Sequence, residues 1–186
     1  MTTTNEVAAR YRTLADAFEQ RIQVVAPEQW SNQSPCTEWT ARDLVGHVIG
    51  THGMMLGFIG RSLSSAPTAE DDPLAAFKAA RGDMEAVLDD PELARTEYDG
   101  LFGRTNISAT VDRFLGFDLV VHGWDLARAT GQDEHIDPQE IERIWANARE
   151  LGDNLRQPGV CAPAVEIGDD APEQERLLAY LGRDPR

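Results

Sequence analysis

Asp118, His122 and Asp125 recur at steps of four and three along FDLVVHGWDLARA, between the apolar positions of a single helical pattern. On a heptad register the inward stripe of that segment is Val111, Leu115, Asp118, His122, Asp125 and Ala129. A helix brings side chains three and four apart onto one face at about 5–6 Å, so a carboxylate and an imidazole at this spacing can share an ion. Burying an unpaired charge costs several kcal/mol, and metal coordination is one of few arrangements that offset it. Asp125 suits two roles: a ligand, or a carboxylate that accepts the second ring N–H of a ligating histidine. The plainer alternative is a hydrogen-bonded Asp–His pair in a helical core.

A second histidine segment, DLVGHVIGTHGMMLGFIG, offers the remaining arm. Its inward stripe reads either as Leu44, His47, Thr51, Met54 and Phe58 or as Val45, Val48, His52, Met55 and Ile59. The two histidines are five residues apart, about 140° around a helix, so they do not easily face one metal together. Periodicity leaves the choice between them open.

These side chains need helices to position them, and the chain supplies helical signals throughout. Val7, Tyr11, Leu14, Phe18, Ile22 and Val25 are spaced by three and four, with Pro27 closing the run. Thr40 and Asp43 form a capping-box pattern that starts a second helix near Ala41 and carries it to about Gly60. Pro73 opens a third helix with Leu74, Phe77, Met84 and Leu88 inward, bounded by Pro91. The stretch from Pro91 to Asn106 reads as a connection. A fourth helix covers about Ser108 to Ala129, with Gly131 placed to end it. Asp137-Pro138-Gln139-Glu140 begins a fifth helix, with Ile141, Ile144, Trp145, Ala148, Leu151 and Leu155 inward. PEQERLLAYL, stopped by Gly182, makes a short last one, and Ala164 to Ile167 is at most a brief extended piece. The expected fold is all-α: a four-helix bundle with one or two short accessory helices, residues 1–186 forming one domain.

Composition narrows the partners. With 17 basic against 32 acidic residues in 186, the net charge is −15, which disfavours nucleic acid and anionic membrane surfaces. The two cysteines, Cys36 and Cys161, make no CxxC pair or disulfide scaffold. No targeting segment or long apolar span is evident, so a cytoplasmic protein is expected. Cys36 precedes the second helix, where a helix N-terminus lowers a thiol pKa and suits a reactive thiol or an extra metal ligand, but a small buried residue beside Trp39 is the simpler reading. Arg128 suits either a pairing with Asp125 or an anionic substrate, Trp124 suits bundle packing, and His135 sits among charges as a solvated residue. No GxSxG elbow supports serine-hydrolase chemistry.

SPCTEWTARDLVGHVIGTH, FDLVVHGWDLARATG and APEQERLLAYLGRDP together resemble the actinobacterial metal-binding branch of the DinB/YfiT-like superfamily, related to the N-terminal domain of mycothiol-dependent maleylpyruvate isomerase. The resemblance spans nearly the whole chain. It implies a DinB-like four-helix bundle with a divalent metal, zinc or nickel, held by His47, Asp118 and His122. His52 then becomes a core or rim residue. Two neutral imidazoles and one carboxylate leave Zn²⁺ at net +1 with an open position, the composition of a catalytic site. A thiol arriving there ionises at neutral pH.

The implied function is transfer of a low-molecular-weight thiol of the mycothiol type to an electrophile, or thiol-assisted isomerisation. The alternative is a non-catalytic, stress-associated metal-binding bundle. The resemblance further implies a monomer or homodimer. Two departures matter: the isomerase relatives carry glutamate where this chain has Asp118, and they have a further C-terminal domain for which these 186 residues leave no room. Maleylpyruvate isomerisation itself is therefore the less favoured chemistry.

Overall fold

The computed structural model describes residues 3–100, 102–157 and 159–186, and divides into two compact units, residues 1–132 and 133–186. In the first unit, α1 (Thr4–Gln23), α2 (Ala41–Gly57) and α3 (Pro73–Asp89) are followed by the short α4 (Pro91–Ala94). A two-stranded antiparallel hairpin, β1 (Glu97–Gly100) and β2 (Gly103–Asn106), leads to α5 (Ile107–Thr110). A π-helical turn over Val111–Leu115 then runs into α6 (Gly116–Thr130). Helices α1 and α2 each pack against both α3 and α6, so the four long elements enclose one core. The second unit holds α7 (Pro138–Leu151), a 3-10 turn over Gly152–Arg156 and α8 (Glu173–Tyr180), which pack together. The fold is all-α as expected.

The helix ends follow from local chemistry. Thr3 with Glu6, and Thr40 with Asp43, form capping boxes at α1 and α2, and Asp72 accepts from the Ala75 amide at α3. Each such cap satisfies amides that otherwise lack partners, for roughly 1 kcal/mol. Gly131, at φ 68°, ends α6 in the left-handed conformation. The carbonyls exposed at that end receive side-chain donors, Asn32 on Ala129 and Gln29 on Thr130.

Two elements differ from expectation. The connection over 91–106 contains a helical turn and the hairpin. Its strands, EYDG and GRTN, are polar and bounded by glycine, with no apolar alternation to announce them. They are held by ladder pairing, by Arg104 against Glu97, and by a Tyr98–Thr110 hydrogen bond. The fourth helix is interrupted by the π turn, which inserts a residue and moves its core stripe. Val111, Leu115, Leu119 and Leu126 lie in the core, with Asp118 displaced to the rim of that stripe. Residues 164–167 form no strand; the Val165 amide instead donates to the Ala179 carbonyl.

In the second unit the chain turns after α8 at Gly182, whose φ is 83°. A Cβ there would sit 2.7 Å from the Ala162 carbonyl oxygen, a backbone atom that cannot step aside cheaply. Gly182→Ala therefore combines a left-handed conformation with a collision and lowers stability by about 2 kcal/mol. Urea unfolding reads this as a reduced midpoint; an unchanged midpoint would show that the turn relaxes freely.

Candidate metal centre

Helix α2 presents both of its histidine registers, and the fold assigns each a different neighbour. Val45, Val48, His52 and Met55 are buried and face the core. His52 Nδ1 donates to the Val48 carbonyl at 2.7 Å, which leaves Nε2 to accept the Tyr11 hydroxyl at 2.9 Å. Burial pushes the His52 pKa down to about 4. His52 is a satisfied core histidine. The other stripe turns toward α6: Thr51 is buried, whereas Met54 and Phe58 at its far end are exposed.

That stripe brings His47 to Asp118 and His122. His47 Nε2 lies 3.5 Å from Asp118 Oδ2, and His122 Nε2 lies 4.0 Å from Asp118 Oδ1. The two imidazole centroids are 4.9 Å apart at 74°. One donor atom from each of the three residues falls within 4.8 Å of the others. Donor atoms around a tetrahedral ion with bonds near 2.0–2.1 Å are separated by about 3.3 Å, so closing this set on one divalent ion takes side-chain shifts of up to about 1.5 Å. Exposure is graded across the site. The side chain of His122 is 9% exposed, that of Asp118 19% and that of His47 33%. The His47 side is therefore open to solvent while the His122 side is closed.

The surroundings fix these groups. Thr51 donates its hydroxyl to Asp118 Oδ2 at 3.0 Å. Burial pushes the Asp118 pKa up, but the His47 donor, the positive charge that His122 and His47 bring whenever they are protonated, and the Thr51 hydroxyl outweigh it. The net direction is below the usual carboxylate range. Asp118 is thus held as an anion, the state that a cation ligand needs. The Trp39 ring packs 4.5 Å from His47 and 5.7 Å from His122, centroid to centroid, covering both imidazoles.

Trp39 comes from the loop before α2, which is tied to itself. Gln33 pairs with Thr40, and its Nε2 donates toward carbonyls of that loop, Trp39 among them at 2.9 Å. The same loop carries Cys36, half-buried, whose thiol donates to Asp125 Oδ2 at 3.4 Å. Asp125 is fully buried and accepts from His122 Nδ1 at 2.9 Å.

The placement of Asp118 and His122 beside His47 was readable as spacing plus resemblance. The Cys36–Asp125 contact, between residues 89 apart in sequence, and the packing of Trp39 on His122 leave no local signal, and neither does the loop conformation that lays Trp39 over His47. Thr51 had a signal, its position in the His47 stripe. Arg128 stacks over the Trp124 ring at 5.3 Å, and His135 is exposed. Among the described residues no helix is long and apolar enough to cross a membrane.

Two uncharacterized proteins of Mycobacterium tuberculosis, MT0763 of strain CDC 1551 / Oshkosh and Rv0738 of strain H37Rv, are each 31% identical to this chain over 176 residues, covering 92% of it and 94% of the relative. No solved structure matches. The family described as the mycothiol maleylpyruvate isomerase N-terminal domain matches residues 11–127. That stretch includes α2, α3 and the part of α6 that bears Asp118, His122 and Asp125. On this match over more than half of its length, the chain belongs to the mycothiol maleylpyruvate isomerase N-terminal domain family.

Proposed function

We propose that this protein is a divalent-metal-dependent enzyme that transfers a low-molecular-weight thiol of the mycothiol type to an electrophile or uses it in an isomerisation, with His47, Asp118 and His122 as the ligands. The observation that carries this reading is the convergence of two imidazoles and an ionised carboxylate at a rim closed on one side and open on the other. Zinc or nickel held by His47, Asp118 and His122 would supply a Lewis acid able to lower the pKa of an incoming thiol toward neutrality. The protein's own contribution is positional. Asp118, kept anionic, balances part of the cation charge, and Thr51 fixes which way its carboxylate points. Trp39 restricts rotation of both imidazoles and keeps water from the covered face. The solvent-facing His47 side leaves an approach for thiol and electrophile.

This reading takes a small-molecule thiol and an electrophile as the partners, in a reducing cytoplasm where such thiols persist. The family name supports the choice of thiol.

The test is depletion of a low-molecular-weight thiol by monochlorobimane with purified protein and added Zn²⁺. Native protein should accelerate the reaction by at least about tenfold over His47→Ala, which loses a ligand but no core contact. Equal rates for the two would remove the enzymatic reading and leave a non-catalytic metal-binding bundle.

A further inference from the structure

Asp125 is a carboxylate with no exposure at all, standing on the opposite side of the His122 ring from Asp118. A carboxylate in that position costs several kcal/mol unless donors surround it. Two donors converge on one of its oxygens: His122 Nδ1 at 2.9 Å and the Cys36 thiol at 3.4 Å both reach Oδ2. Two donors on one oxygen define it as an acceptor, so the ring proton of His122 sits on Nδ1. A neutral imidazole has a single N–H, and Nε2 is then left with its lone pair toward Asp118 and His47.

We propose that Asp125 is a positioning residue for this site. It holds His122 in the Nδ1–H tautomer and at one ring rotation, and Cys36, as the second donor to Oδ2, keeps the Asp125 carboxylate aimed at the ring. The inference rests on His122 being a ligand. Its parts come from separate elements. His122 and Asp125 are three residues apart on α6, which makes their bond local. Cys36 belongs to the loop that Gln33 ties down, so its thiol is delivered by a rigid segment rather than a free one. Without Asp125 the ring can turn or move its proton to Nε2, and either change removes the lone pair that a cation needs. The Cys36 link makes the thiol part of the metal site's support although it contributes no bond to the ion.

The test uses the full chain in four forms: native, Asp125→Asn, Cys36→Ser and Cys36→Ala. Zn²⁺ affinity is measured by competition with a chromogenic chelator, and the His122 tautomer in metal-free protein by ¹⁵N NMR of the ring nitrogens. Asp125→Asn should bind Zn²⁺ about 10–100-fold more weakly and show a proton on Nε2 of His122. Cys36→Ser keeps a donor and should retain near-native affinity, whereas Cys36→Ala should lose several-fold.

A folded Asp125→Asn with native affinity and an unchanged tautomer would overturn the proposal. If Asp125→Asn does not fold, the native tautomer and the Cys36 pair decide. An Nε2–H ring in native protein, or equal affinities for Cys36→Ser and Cys36→Ala, would overturn it. Should native protein bind no Zn²⁺, the metal reading falls by itself. The ring tautomers of native and Asp125→Asn then still report whether Asp125 sets the proton.

Discussion

His47→Ala lowers the affinity for Zn²⁺ by at least about 100-fold, equivalent to roughly 2.7 kcal/mol, and moves the thermal midpoint by no more than about 3 °C. The first half follows from geometry: with His47 gone, Asp118 and His122 remain on one helix and offer only one carboxylate and one imidazole to the ion. The second half follows from burial. The His47 side chain is one-third exposed, and its chief contacts are Trp39 and the rim carboxylate rather than the apolar core. His122→Ala should abolish binding as thoroughly but is the less clean experiment. It strips the 2.9 Å donor from the buried Asp125, and an under-satisfied buried carboxylate costs about 1–3 kcal/mol by itself. Affinity and stability would then fall together.

Asp118→Asn offers a third measurement, because the amide can keep the Thr51 hydrogen bond while losing the negative charge. His135→Ala, on an exposed loop residue, is the control for incidental histidine binding. Equilibrium competition with a chromogenic chelator on untagged protein reads all four. If His47→Ala binds as tightly as His135→Ala, the three-residue centre is wrong.

The bundle was legible from sequence because its signals are local. Thr40 and Asp43 cap α2, Pro73 opens α3 and Gly131 ends α6 as their residue types require. The residues of the candidate site are half legible. Heptad spacing picked out Asp118 and His122, and the resemblance chose His47 over His52, a choice that helical periodicity had left tied. The fold shows why it was tied: α2 uses both stripes, one for the core and one for the site. What escaped the sequence was non-local or irregular. The π turn slides the core stripe of α6 from Asp118 to Leu119, a one-residue change that no fixed register anticipates. The hairpin consists of polar four-residue strands whose pairing, not their composition, makes them strands. Cys36 and Trp39 reach the site through a loop whose closure depends on the Gln33 side chain, which leaves no periodic trace.

The histidine left out of the site carries a separate consequence. His52 is fully buried between Tyr11 and Phe77, and burial holds its folded pKa at about 4 against an ordinary value of 6.5. The hydrogen bond to Val48 and the charges of Asp118 and Asp83 act in the opposite direction without overcoming burial. Tyr11 is pushed up by its own burial and stays a neutral phenol, so the pair remains uncharged in the fold.

Below pH 6.5 the unfolded chain takes up a proton at this position, and the folded chain does not until about pH 4. The unfolded state binds more protons throughout that window, so the His52 contribution to stability is intact above it and falls as the pH drops. The slope approaches 1.4 kcal/mol per pH unit and the loss is roughly 3 kcal/mol by pH 4. A buried phenylalanine at this position removes the titrating group, at the cost of orphaning the Tyr11 hydroxyl. His52→Phe should therefore be less stable at pH 7 and lose less between pH 6.5 and 4. Urea unfolding of both forms at half-unit pH steps isolates the residue, because other carboxylates and histidines contribute equally to each curve. Parallel curves would show that the imidazole gains its proton inside the fold, and the buried neutral pair with Tyr11 would have to be abandoned.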